Sequence, residues 1–276
     1  NTLKSYIDKN ELKKTILHIF NSNFLLDYKN INNLPIGLFG DFYSHELSFS
    51  LINKNDFKNI KNIFDRCNLK LKKILLNSFI HGALISEKFE KVETFFKLEI
   101  NHERSSIFLF ENNALKYEQV FNFGNDIIIN DISKITLLKK ENIKDILESN
   151  EFKNEFLNDD LLEEKFFKGE KSRKLKKKLI YEIALARINE IIDLIIFNNI
   201  NLKHFSNSSK ILFLSLNYDI NTCILSEIYK NVLSKSKFLE VRYLDTVSEQ
   251  NLLSTANKIV HFGWKKEAIP VTQPKK

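Results

Sequence analysis

The stretch that most constrains this chain is Lys97–Ile135, KLEINHERSSIFLFENNALKYEQVFNFGNDIIINDISKI. Phe96, Leu98 and Ile100 share one face of a first strand, and Ile107–Phe110 form a second. Asn112-Asn113 mark a tight reversal. Leu115, Tyr117, Phe121 and Phe123 then recur at even spacing on a third strand. Gly124 breaks the alternation. From Asp126 the period changes to that of a helix, with Ile128, Ile132 and Ile135 on its inner stripe.

The flanks read more coarsely. Leu12, Ile16 and Ile19 fall at helical spacing, and Pro35, Gly37 and Gly40 mark a turn-rich loop between strands. Glu46–Ile52 alternates as a strand. Asn55 is placed to cap a helix whose Phe57, Ile60, Phe64 and Cys67 lie on one face, which makes Cys67 a buried apolar residue. Lys73–Leu76 reads as a buried parallel strand and Ser78–Ser86 as a short helix, on which His81 is structural. Residues 148–172 are charged and weakly patterned, and the acid-rich Asn158–Glu164 reads equally well as a mobile loop. Arg173–Asn198 is the longest expected helix, with Leu179, Ile183, Ala186, Ile191, Leu194 and Ile195 as its apolar face. A buried strand at Lys210–Leu214, a helix at Asn221–Leu233, a strand at Glu240–Tyr243 and a helix at Ser248–Trp264 follow.

Composition narrows the function classes. The net charge of +7 suits an anionic partner, but Lys alternates with Asp and Glu over most of the chain, as on a solvated surface. The one dense block, Lys171–Lys178, holds no aromatic residue for base stacking, which disfavours nucleic acid as a partner. Cys67 and Cys223 lie on different elements and suggest no disulfide framework, as in a reducing cytoplasm. No apolar run reaches the length of about 18 residues that spans a bilayer. No nucleophile–base pair, metal-ligand cluster or Walker-type loop is present. The chain starts at Asn1 and contains no Met, so it is expected to be a fragment lacking its natural N-terminus.

Two passages carry a family resemblance. Phe123-Gly124-Asn125-Asp126 with Ile129-Asn130-Asp131-Ile132 is similar to the second half of the phosphate-binding hairpin of the bacterial cell-division family FtsA, DIGGGTTDIAVF…G.L…IPIGGDHITNDIA. Leu17-His18-Ile19-Phe20, Phe24-Leu25-Leu26-Asp27 and Asn33–Gly40 resemble, in order and spacing, LHVLPQ.F.LDGQ.GI.NPIGMSG.RL of the same family. LLNSFIHGALI, Leu138–Lys144, IALARINEIIDLI and the last helix echo further family phrases. The resemblance implies an α/β, actin-like (ribonuclease H-like) two-lobe fold with an incomplete first lobe. It divides the chain into 1–44 as the family's extra subdomain, 45–92 as the returning first lobe, 93–138 as the core sheet of the second lobe, 139–182 as the peripheral FtsZ-docking subdomain, 183–264 as second-lobe core and crossing helix, and 265–276 as linker.

For nucleotide, the resemblance implies ATP with Mg, held weakly, with Gly124, Glu141, Lys144 and Arg187 on the adenosine side. The glycine loops have drifted: Glu99 stands for an aspartate, Asn101-His102-Glu103-Arg104 for GGGT, and Leu214-Ser215-Leu216-Asn217 for LTGG. Side chains at glycine positions fill a phosphate cradle, so hydrolysis is expected to be weak or lost. For partners it implies FtsZ, through Arg173, Lys174, Lys176 and Lys177, self-association into actin-like filaments, and the membrane through a C-terminal helix absent before Lys276. The function expected is an adaptor joining FtsZ filaments to the cytoplasmic membrane at the division site. A pilus-assembly-type actin-like scaffold and a basic nucleic-acid-binding protein are the alternatives.

Overall fold

A computed structural model describes residues 9, 11–31, 34–149, 160–205, 209–216, 223–235, 239–245 and 247–268. The chain divides into two compact units, one formed by 1–94, 109–118 and 248–276 and the other by 95–108 and 119–247.

The first unit is built on a three-stranded antiparallel sheet ordered β2-β1-β3: β1 Lys14–Leu26, β2 Lys29–Ile31 and β3 Tyr43–Asn53. The helical spacing at Leu12, Ile16 and Ile19 is therefore overruled. The inward positions of β1 are His18, Phe20, Ser22 and Phe24, and this period of two prevails because it buries two aromatic rings. The Pro35–Gly40 loop joins β2 to β3 as expected. Asp27 pins its far end by accepting from the backbone N–H groups of Asp41 and Phe42, each at 2.9 Å.

Helix α1, Lys54–Arg66, follows β3 directly, and its cap position is Asn53 rather than Asn55. No residue of α1 is buried, and Cys67 just beyond it is exposed, which corrects its expected burial. Lys73–Leu76 forms no strand, because no ladder partner lies beside it among the described residues. Helix α2, Asn77–Lys88, buries Phe79, His81 and Ala83. Phe79 meets Phe20 edge-on at 4.8 Å and Trp264 at 6.1 Å, and Gly82 lets the Phe110 ring approach where a Cβ would stand 2.3 Å from it. Residues 265–268 were expected to begin a linker. They instead run beside β1: Asn21 N–H donates to Lys266 O, and Ala268 N–H to Ile19 O, both at 2.8 Å.

A five-stranded sheet is ordered β6-β5-β4-β7-β8, with β4 Phe95–Ile100, β5 Ser105–Glu111, β6 Ala114–Phe121, β7 Ile211–Leu216 and β8 Glu240–Tyr243. Asn112 and Asn113 turn the β5–β6 hairpin with φ of 50° and 64°, left-handed values that Asn tolerates better than most residues. β4 pairs with β7, and β7 with β8, in parallel. Both faces of such strands are covered, which explains the continuous apolar run at 211–214 and the burial on both faces of 95–100, Lys97 included.

The second unit packs α3 Asp126–Thr136, α4 Lys140–Glu148, α5 Lys177–Ile192, α6 Ile200–Lys203 and α7 Cys223–Ser234 around its strands. α3 buries Ile128, Ile129 and Ile132, while Ile135 is exposed. α5 starts four residues later than expected and continues as a π turn over Asp193–Phe197. Its buried face is Ile180, Ile183, Ala184, Ile188, Ile191, Ile192 and Ile195; Leu179, Ala186 and Leu194 point to solvent. The last helix, α8 Glu249–Phe262, is capped by Ser248 and belongs to the first unit. Asn158 and Asp159 of the acid-rich segment lie outside the described residues. Its continuation is held, since Leu162 is buried and its N–H donates to Leu175 O at 2.7 Å.

Candidate functional site

The C-terminal end of β4, where the sequence places a phosphate loop, is closed by this chain's own groups. Lys97 and Glu99 are two residues apart and project from one face of the strand. The Lys97 side chain is 1% exposed, and its ammonium donates to Glu99 Oε2 at 2.6 Å and lies 5.8 Å from the centre of the Phe108 ring. Burial pushes the Lys97 amine below the usual lysine range, against the opposing pull of the Glu99 charge and hydrogen bond. Glu99 Oε1 also accepts from Asn101 Nδ2 at 3.3 Å. Asn101 Oδ1 is buried with no hydrogen-bond partner among the described residues.

The turn 101–104 then folds onto the start of α3. Asn125 N–H donates to Asn101 O and Asp126 N–H to His102 O, both at 2.9 Å. The first N–H groups of a helix have no partner within it and are the groups that receive a phosphate in anion-binding folds. Here two of the N–H groups at this helix start are spent on carbonyls. Gly124 makes the approach possible: a Cβ there would stand 2.1 Å from Asn101 O and 2.5 Å from His102 O. His102 Nδ1 lies 3.3 Å from Asp126 Oδ1, and Ser105 Oγ donates to Phe123 O at 2.8 Å. Tyr229 of α7, wholly buried, donates its hydroxyl to Asn125 Oδ1 at 3.0 Å, and burial pushes that phenol above the usual range.

The expected nucleotide residues take separate roles. Gly124 sits at the closed turn. Arg187 is committed to protein, with Nε donating to Asp131 of α3 and Nη1 to Glu190 Oε2 at 2.6 Å. Glu141 and Lys144 are exposed on α4, whose other face buries Ile143 and Ile146. Ser215 lies opposite Glu99 in the parallel ladder, and Asn217 is outside the described residues. Lys97, Asn125 and Tyr229 were not foreseen. Lys97 carried a signal all the same, a lysine on the inward side of the apolar run FFKLEI.

The basic block splits. Lys171, Lys174 and Lys176 are exposed. Arg173 donates through Nη2 to Thr136 O at 2.6 Å and lies over the Phe167 ring at 5.9 Å. Lys177 is buried, with its N–H bonded to Asp160 O and its ammonium 3.5 Å from Glu163 Oε1, so an external partner cannot reach it directly.

No known protein family matches the sequence, and no curated protein matches it. Solved structures do match in shape. The PilM-PilN type IV pilus biogenesis complex superposes with a TM-score of 0.51 at 8% identity, over 95% of this chain and 70% of that one. MreB5 of Spiroplasma citri bound to AMPPNP superposes with a TM-score of 0.50 at 12% identity, over 76% of this chain and 65% of that one. The chain has the α/β fold of the actin-like ATPases, with two lobes, and spans roughly two thirds of the length of these structures.

Proposed function

We propose that the protein is an actin-like scaffold of the FtsA type, joining FtsZ filaments to the cytoplasmic membrane at the division site and associating with itself through its actin-like lobes. The observation that carries this reading is the Pro35–Gly40 loop between β2 and β3 of a three-stranded sheet. This reading takes that loop, which falls in the resembling order, as the element that sets FtsA apart from other actin-like proteins. In this reading 1–44 is the extra subdomain, 45–92 returns to the first lobe, 93–138 and 183–264 build the second lobe, and 139–182 docks FtsZ. The docking face is Lys171, Lys174 and Lys176, exposed and suited to an acidic peptide. Nucleotide is a weak ligand without turnover, because the turn carbonyls occupy the N–H groups at the start of α3. Mg enters only with ATP, and Glu141 and Lys144 remain available to the adenosine side.

The test is titration of the protein with the acidic C-terminal peptide of FtsZ. K174E/K176E is expected to weaken binding about tenfold at low salt and by less at high salt. Equal affinity of variant and parent at low salt removes the docking assignment. A pilus-assembly-type scaffold is the second reading, favoured by the superposition over 95% of this chain on PilM in complex with PilN. Binding of a PilN-type peptide with no binding of the FtsZ peptide selects it.

A further inference from the structure

We propose that the C-terminal half of α1 and the segment after it, residues 61–73, form a docking surface for an anionic membrane. Membrane attachment by this surface is independent of the FtsZ assignment and lies far in sequence from the end of the chain.

Three observations meet here. Between Lys54 and Lys73 the sequence holds seven basic and two acidic residues, a net +5 within a chain whose total is +7. The segment is thus strongly basic, as is Lys171–Lys178 with its six basic residues. Second, α1 is amphipathic yet buries none of its residues. Phe57 and Ile60 are half-buried, but Ile63 is 63% exposed, Phe64 38% and, beyond the helix, Leu69 57%. Third, Lys61, Arg66, Lys70 and Lys72 alternate in sequence with these apolar residues and are exposed, and no ion pair holds any of the four among the described residues.

Exposed apolar side chains interspersed with uncompensated basic ones are the chemistry of an interfacial helix. The apolar side chains enter the boundary between headgroup and acyl chain, while the lysine stems snorkel and place their ammonium groups among anionic headgroups. Each basic group near such a surface favours binding by about fivefold, so the patch acts as a set rather than through one contact. The charge selects an anionic over a zwitterionic surface. The apolar side chains select a membrane over a nucleic acid, which offers phosphate but nothing to receive Ile63, Phe64 and Leu69.

The experiment is co-sedimentation of the 276-residue chain with phosphatidylcholine vesicles and with vesicles containing phosphatidylglycerol, at low and high salt. Binding to the anionic vesicles only, weakened by salt, is expected. K61E/K70E/K72E is expected to lose about a hundredfold in vesicle affinity, and I63S/F64S about tenfold at low salt. All five side chains are exposed, so the fold is preserved, and circular dichroism checks that. K174E/K176E is the control and leaves vesicle binding unchanged. FtsZ-peptide affinity of K61E/K70E/K72E also stays at the parent value, which separates this surface from the docking face. Equal binding to both vesicle types, no binding to either, or a triple variant that still binds overturns the proposal. So does binding of a nucleic-acid duplex in place of vesicles.

Discussion

Lys97 offers the sharpest test of how the cradle is closed. Its side chain is 1% exposed and its ammonium is held by Glu99, whose side chain is 20% exposed. Removing one partner of a buried ion pair costs about 3–5 kcal/mol, because a charge is left without compensation in a low dielectric. Glu99→Leu therefore falls near 3 kcal/mol. Lys97→Met falls lower, at about 1–2 kcal/mol, since the Glu99 carboxylate reaches water and recovers part of its hydration. Lys97→Met with Glu99→Leu replaces the pair by apolar groups and lies within about 1 kcal/mol of the parent. The cycle gives a coupling of roughly 3 kcal/mol. Urea unfolding followed by far-UV circular dichroism measures it, since the single tryptophan, Trp264, lies in the other unit. The pH dependence has a fixed sign. The unfolded chain keeps the lysine proton up to the ordinary lysine pKa, whereas the folded chain releases it earlier. Stability of the parent therefore rises as pH climbs through that window, and Lys97→Met abolishes the rise. Single-variant losses that simply add in the double variant would refute the reasoning, as would a pH slope that survives Lys97→Met.

Three further outcomes follow from the same geometry. Gly124→Ala forces the 101–104 turn away from α3 and costs about 2–3 kcal/mol; hydrogen exchange at the Asn125 and Asp126 amides accelerates, and unchanged protection refutes the close approach. Mg-ATP binds the parent no tighter than about 1 mM. N101G/H102G/E103G tightens it at least tenfold by calorimetry, because a unit charge about 4 Å from phosphate opposes it by about 4 kcal/mol at an effective dielectric near 20. In the first unit, Glu267 is half-buried, yet hydrogen bonds from His18 and Lys73, each 2.7 Å, hold its carboxyl below the usual range. That contribution is present above the ordinary carboxylate pKa and is lost as pH falls through the folded value, so Trp264 fluorescence shows acid destabilisation in the parent and a flatter profile in Glu267→Gln.

The parts legible in the sequence were those where one pattern spoke alone. Ile107–Phe110, the Asn112-Asn113 turn, Glu240–Tyr243 and the switch of period at Asp126 had no rival pattern, while the fold class came from the family resemblance carried by Phe123–Asp126 and Asn33–Gly40. β1 was hidden because two of its four inward positions are polar: His18 and Ser22 sit beside Phe20 and Phe24. Cys67 defeats the pattern because an amphipathic face does not disclose how far its cover extends: Phe57 and Ile60 are half-buried, while Phe64 and Cys67 are exposed. At the cradle, the lost glycines were visible as letters. The hydrogen bonds from the start of α3 to the turn carbonyls were not, since they depend on how closely two backbones approach. Lys177 shows the same limit: a run of lysines does not disclose which one the Asp160 carbonyl and Glu163 draw inside.

The pairing of residues 266–268 with β1 also fixes an order of events during synthesis. Ile19 accepts from Ala268, and His18 meets Glu267, across 249 residues of sequence in each case. The first unit is assembled from three separated pieces of chain, and the last of them is made after the whole of 119–247. A ribosome extending the chain therefore displays β1 long before its final neighbour exists. Contacts within the unit of 95–108 and 119–247 need no later residue, so that unit can close before β1 gains its final neighbour. Through that interval the His18–Phe20 side of β1 stands open, which is when a chaperone or a second nascent chain has its opportunity to bind.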